Sequence, residues 1–371
     1  MSSGKRIYSI DLLRFIAAFY VMMFHYAFRG SIVGNTTLEL NEISKYFKYG
    51  YFGVHLFFII SGFVILLSVQ KNSVFDFIKS RVVRLYPAYW VCVCITFIVV
   101  YFFGNTFTSV GVYNWIVNMT MLNSFIGIPS VDGVYWSLHV ELIFYFLIII
   151  YLILKKKFTK LKDDHLIIVW LLISLSQLVI DYDSHYFLKL IRFVFIFKYS
   201  SFFIAGMLFF KIYKTNLKMY KYLLFPTLGL SLYSCYLSIN QMIIDYTTDY
   251  SFLICTLIIV SFYVVFYLII TGGLDVINKP IYMSIGLLTY PLYLIHQVFG
   301  FVIFNTIGDS INKYSLVIGV ILFMLLLSSL INKYVERPLS MKLGALVDRL
   351  KEKLLSHLNQ EDPTKNIKSE L

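Results

Sequence analysis

The sequence predicts an all-α integral membrane protein of about ten transmembrane helices, with both termini cytoplasmic. Three observations carry that expectation. The chain is 59% apolar and only 14% charged over 371 residues, where soluble domains average about 25% charged. Its mean hydropathy is +0.77. Its apolar residues also gather into runs of about 20, the length that crosses a hydrocarbon layer about 30 Å thick.

The first run, near 8–29, follows Lys5 and Arg6 as a signal peptide would. Asp11 and Arg14 interrupt its core and no small-residue cleavage site stands out, so it reads as an uncleaved first span. A second run lies near 50–69, and an amphipathic stretch from Phe75 to Arg84 leads into the third near 87–104. Further runs fall near 135–154, 166–181, 191–211, 221–240, 250–270, 283–305 and 314–334. After Pro338, Leu343, Leu346, Val347, Leu350, Leu354 and Leu358 share a helical stripe. That stripe predicts a cytoplasmic interfacial helix followed by a polar, disordered tail. The division is a transmembrane domain over 1–338 and a cytoplasmic helix and tail over 339–371.

Orientation follows from the basic residues. With the N-terminus inside, the inner segments hold Lys5, Arg6, Lys71, Lys79, Arg81, Arg84, Lys155, Lys156, Lys157, Lys160, Lys162, Lys211, Lys214, Lys218, Lys221 and Lys279. The outer loops hold Arg29, Lys45, Lys48, Lys189 and Lys313. This asymmetry meets the positive-inside rule in one orientation and violates it in the other. The net charge of +12 is therefore a matter of topology and anionic lipid, with no basic domain for nucleic acid. Cys92, Cys94, Cys235 and Cys255 fall within predicted spans and show neither a disulfide pattern nor metal-ligand spacing. The abundant Phe and Tyr accompany Ile, Lys and Asn, as an A+T-rich coding sequence produces, and aromatic residues also anchor spans at the interface.

Ionisable residues inside these spans are candidates for function, because stranding a charge in lipid costs at least about 2.5 kcal/mol. Arg14 and His25, eleven residues apart, lie within about 20° of each other around a helix and about 16 Å apart along it. Asp11 lies on the same side. His55, at the outer end of the second run, reads as a site group or as an interface residue bonded to a carbonyl. Arg81 and Arg84 are neighbours on one face, suited to anchoring topology or to clamping phosphate with their planar forks. Ser137 and Glu141 are i, i+4 neighbours, and a carboxylate at that depth needs a partner or a proton. His139 points about 200° away from Glu141 and reads as a packing residue. Pro291 bends the ninth run and frees a carbonyl, and His296 in the same run is a second intramembrane imidazole.

In order, Arg14-x10-His25, Gly53-Val-x-Leu-Phe-Phe-Ile-Ile-Ser61-Gly62-Phe63, Arg81-x-x-Arg84-Leu-Tyr-Pro87, Trp136-Ser-Leu-x-x-Glu141, Tyr293-Leu-Ile-His296 and Glu336-Arg337-Pro338 resemble the membrane-bound acyltransferase 3 family. The resemblance runs from Asp11 to Pro338. It departs at His55, where many members carry an acid, and the chain lacks the extracellular hydrolase-like domain that some members fuse after the last span. It implies O-acyl transfer in a bacterial plasma (inner) membrane, commonly of acetyl from cytoplasmic acetyl-CoA to a hydroxyl of a cell-surface or exported glycan. Acetyl-CoA is then a substrate rather than a tightly bound cofactor, and no metal is expected. Arg14, Arg81 and Arg84 would hold the donor phosphates. His25 would act as general base or carry acetyl covalently, with Glu141 or Asp11 orienting or charging it and His296, His55 and Ser137 in support. Expected partners are acetyl-CoA, a glycan or glycolipid acceptor, membrane lipid and a separate periplasmic acyl-transfer partner. The rival reading, from another class, is a proton-coupled transporter or flippase of a glycan precursor, relaying protons through His25, Glu141 and His296. No matching pair of broken helices supports it. A glycan polymerase would call for larger outer loops than 30–49 and 105–134.

Overall fold

The computed structural model describes residues 6–70, 73–104 and 110–360, the side chains of 354–360 excepted. Lys5, Lys71, the side chains of Leu354 and Leu358, and the polar tail after Gln360 lie outside the described residues. Among the described residues there is no strand, and nine helices are long and apolar enough to cross a membrane. The principal helices are α1 (Tyr8–Phe24), α2 (Gly53–Val69), α3 (Val74–Phe103), α4 (Trp136–Lys157), α5 (Asp163–Leu175) and α6 (Tyr186–Val194). They continue with α7 (Phe197–Thr215), α8 (Lys218–Tyr246), α9 (Phe252–Thr271), α10 (Tyr282–Ile307), α11 (Lys313–Ile331) and α12 (Arg337–Gln360).

The expected run at 166–181 is where the structure departs from ten long spans. Here α5 has 13 residues, about 20 Å of helix, short of the hydrocarbon thickness. Its start is pinned. Gln70 Nε2 and Lys155 Nζ donate to the Asp163 carboxylate at 2.7 and 2.8 Å, as does the Tyr151 hydroxyl, while Lys211 and Tyr220 engage Asp164 at 2.8 and 3.0 Å. Burial pushes the Asp163 carboxyl up, but Lys155, Tyr151 and Gln70 together hold it below its ordinary value. The beginning of α5 is thereby tied to the ends of α2, α4 and α7 and the start of α8. At the other face, Tyr199 of α7 hydrogen-bonds Tyr51, just ahead of α2. The chain thus changes face between Asp163 and Tyr199, with a break between α6 and α7 at Ile196, whose φ is 53°.

Among the described residues the short α5 therefore adds one change of face to those made by the nine helices long enough to cross a membrane. The Ser9 amide donates to Asn278 Oδ1 at 3.2 Å beside the start of α10, and Lys79 of α3 pairs with Asp348 of α12 at 2.6 Å. Both ends of the described chain therefore lie on one face, the face that carries Lys155, Lys156, Lys157, Lys214 and Lys218.

The core is built around α2 and α7. A Cβ on Gly62 would stand 2.1 Å from the Phe203 carbonyl oxygen, and one on Gly206 2.0 Å from that of Ile59, so two glycines set the helix separation. Around that contact Phe203 packs at 4.3 Å from Phe144 and 4.8 Å from Phe58, ring to ring. On the other side α1 runs along α10, and Tyr26 Oη donates to the His296 carbonyl at 2.7 Å.

A π turn, Asn332–Glu336, carries α11 into α12 without interruption. There α12 packs on α3. Pro87 has no N–H to give the Val83 carbonyl four residues earlier, and Ser340 Oγ of α12 supplies that hydrogen bond at 2.9 Å. Of the predicted stripe, Leu343 and Val347 are partly buried and Leu346 and Leu350 are exposed.

Candidate active site

Five helices, α1, α2, α3, α4 and α10, converge with charged side chains. A cavity of about 140 Å³ is lined by Arg14 of α1, Ser61 of α2, Arg81 and Arg84 of α3, Ser137, Glu141 and Tyr145 of α4, and Tyr290 and Tyr293 of α10. Arg81 and Arg84 reach it together because residues three apart share a helix face. Each is stacked on aromatic rings. The Arg81 guanidinium lies 5.7 Å from the Phe77 ring centroid and 5.8 Å from that of Tyr145, and the Arg84 guanidinium 5.5 Å from that of Tyr290.

The carboxylates are committed. Glu141 accepts from Ser61 Oγ at 2.6 Å. Buried Glu336 accepts from Arg84 Nη1 at 2.7 Å and from Asn332 Nδ2, its neighbour in the π turn, at 2.8 Å. Three guanidinium groups against one lining carboxylate leave the cavity suited to an anion.

Asp11 does not share that cavity. It accepts from Arg6 at 2.9 Å and pairs with Arg14 at 3.5 Å, and fourteen residues of helix, about 21 Å, separate it from His25. That distance rules out Asp11 as the group that orients His25. Among the described residues no carboxylate is hydrogen-bonded to His25, Glu141 included.

The ring beside His25 is His296, with centroids 5.3 Å apart. His296 Nδ1 lies 3.1 and 2.9 Å from the carbonyls of Leu292 and Tyr293. Carbonyls only accept, so this nitrogen carries the hydrogen and Nε2 the lone pair of the neutral ring. His296 Nε2 and His25 Nδ1 are both buried without a protein hydrogen-bond partner. His25 opens a π turn, His25–Arg29, at the end of α1, a backbone feature common at functional sites.

Tyr293 joins the two halves. Its hydroxyl pairs with Ser137 Oγ at 2.7 Å in the cavity wall, and its ring lies 5.9 Å from that of His296. Arg14, Arg81, Arg84, Ser137 and Glu141 are thus brought together, and His25 and His296 form a second group one tyrosine away. His55 stands apart from both. It is fully buried among Tyr51, Phe52, Tyr199 and Phe202, with neither ring nitrogen partnered by protein. His139 is buried, against Phe125 and 3.2 Å from Asn123 Oδ1.

Asp132 escaped the sequence reading. It is fully buried in the loop before α4 and accepts from the amides of Val134 and, across the fold, Val298, each at 3.0 Å. It locks that loop two residues beyond His296. Burial pushes its carboxyl up to about 6, against the lowering effect of the two amides and Arg29. An aspartate before a helix signals only a cap; nothing local announces a partner on α10.

A family model described as an acyltransferase domain matches residues 7–333. No curated protein and no solved structure matches the chain.

Proposed function

The chain belongs to the acyltransferase 3 family and is a multi-pass membrane acyltransferase; from that premise we propose that it takes acetyl from acetyl-CoA at the cytoplasmic face and delivers it to a hydroxyl of a cell-surface or exported glycan. The observation that carries this reading is the convergence of Arg14, Arg81 and Arg84 on one cavity whose wall, through Tyr293, leads to the His25–His296 pair.

The donor is a polyanion. Guanidinium forks bind phosphate oxygens bidentately, and the basic face supplies the side from which cytoplasmic donor arrives. Arg14 and His25 lie about 16 Å apart along α1, of the order of an extended pantetheine arm. The donor phosphates at the arginines therefore allow the thioester to approach His25.

In the reaction, the acceptor oxygen attacks the thioester carbonyl carbon, the C–S bond breaks, and the hydroxyl proton passes through His25 to the departing thiolate. His25 serves as general base. We assign to His296, whose ring centroid lies 5.3 Å from that of His25, the task of assisting this proton through its Nε2 lone pair, in place of Glu141 or Asp11. Glu141, bonded to Ser61, is left to balance the guanidinium charge.

The test is transfer of labelled acetyl from acetyl-CoA to envelope glycan in membranes holding equal amounts of wild type, His25→Ala, Arg81→Ala or Arg84→Ala. Loss of transfer in His25→Ala and weakened acetyl-CoA binding in the arginine variants are expected, about tenfold per lost charge-assisted pair. Undiminished transfer by His25→Ala overturns its assignment, and a label that never reaches glycan leaves transport as the better account.

A further inference from the structure

Like charges gathered on one cavity repel, so each of its arginines needs something to hold it there. Arg14 has Asp11 at 3.5 Å, and Arg81 has the rings of Phe77 and Tyr145. Arg84 has the ring of Tyr290 and the Glu336 carboxylate at 2.7 Å. The partners in that last pair are unequally placed. The Arg84 side chain is 41% exposed and that of Glu336 only 5%, and Arg84 lines the cavity while Glu336 does not. The carboxylate therefore backs the guanidinium from behind. It engages Nη1 alone and leaves the rest of the fork to the cavity.

Glu336 is itself fixed. Its Oε1 serves Arg84, and its Oε2 accepts from Asn332 Nδ2, four residues earlier, at 2.8 Å. Beyond it, Ser340 Oγ donates to the Val83 carbonyl at 2.9 Å and Lys79 Nζ to the Asp348 carboxylate at 2.6 Å. Thus α12 is fastened along the same helix, α3, from which Arg84 projects.

We propose that Glu336 is the positioning residue for Arg84, holding its guanidinium at the cavity for a phosphate of the acyl donor. The inference rests on the proposed use of acetyl-CoA. A long flexible side chain loses rotamer freedom when it binds, and a carboxylate that has already fixed it reduces that loss. Charge alone would act in the opposite sense. Neutralising Glu336 would then tighten donor binding, so the sign of the effect decides.

The experiment measures acetyl-CoA binding by detergent-solubilised protein, and KM and kcat for labelled acetyl transfer in membranes. It compares wild type, Glu336→Gln, Arg84→Ala and the double variant. Glutamine has a single acceptor oxygen, so it can serve Arg84 or Asn332 but not both. Glu336→Gln is expected to raise Kd and KM about tenfold with kcat unchanged. In the Arg84→Ala background it is expected to add nothing, as for two residues that act through one contact. Asn332→Ala frees Oε2 and leaves the charge; it is expected to shift KM the same way by a smaller factor, and it carries the comparison if Glu336→Gln does not accumulate. Tighter donor binding, a fall in kcat alone, or effects that multiply in the double variant overturn the inference. If wild type itself binds no acetyl-CoA, the proposed function falls with it, a distinguishable result.

Discussion

A neutral imidazole relays a proton only when one nitrogen holds hydrogen and the other a lone pair, and the carbonyls of Leu292 and Tyr293 make that choice for His296. His296→Phe is expected to lower kcat roughly a hundredfold while leaving KM for the donor unchanged, which steady-state kinetics at varied acetyl-CoA would check; a rise in KM alone would mean a merely structural ring. Asp132 yields a prediction in pH. Its folded value, about 6, stands above the ordinary aspartate value near 3.9. Its contribution to stability is therefore complete below the lower value and is lost as pH rises through the higher one. Thermal unfolding of detergent-solubilised protein should show wild type losing roughly 3 kcal/mol relative to Asp132→Asn between about pH 4 and about pH 7. Parallel pH profiles would refute it. Arg14, Arg81, Arg84 and Glu141 were legible one by one, since each is an ionisable group in an apolar run. Asp132 was not, because in a polar loop an aspartate carries no apparent cost, and its burial comes from Val298, distant in sequence.

Helices meet through their smallest residues, and the α2–α7 contact shows how narrow that tolerance is. Leucine at Gly206 would place its Cβ 2.0 Å from the Ile59 carbonyl oxygen, so Gly206→Leu is expected to lose several kcal/mol, about 3 or more, and to shift size-exclusion profiles toward aggregate. Gly319→Leu is the matched control, since nothing stands within 4 Å of a Cβ there; equal behaviour of the two would contradict the packing argument. Ser61-Gly62 was readable as a close-approach site. The brevity of α5 was not, because hydropathy continues past Ser176 while the helix stops, and its anchors Gln70, Lys155 and Lys211 lie on three other elements. Nor does any hydropathy pattern announce a π turn, which changes phase without changing polarity.

The whole molecule sorts its charges by face. Lys45 and Lys313 stand on one side, with Lys313 pairing Glu42 at 3.1 Å, and Lys156 and Lys214 on the other. Lys45→Cys and Lys313→Cys are expected to react with an impermeant maleimide in intact cells, and Lys156→Cys and Lys214→Cys only after permeabilisation; the reverse pattern would invert the orientation. Topology was the part most open to sequence reading, because the Lys and Arg distribution acts over whole loops and needs no pairwise geometry. What it could not supply is that Arg14 and His25, on one face of α1, both look toward α10, one into the cavity and one onto His296.

The π turn at His25–Arg29 has a consequence for how this chain tolerates changes of length. Such a turn is what a helix becomes on gaining one residue while its flanks keep their packing. Losing a single residue between Tyr26 and Arg29 would return the segment to regular α geometry and leave the Arg14-to-His25 interval untouched, since that interval lies wholly on the regular side. The same holds at Asn332–Glu336 for the join of α11 to α12. Indels in these two short stretches are thus the ones that divergent copies of the gene can absorb without rephasing the helices that line the interior.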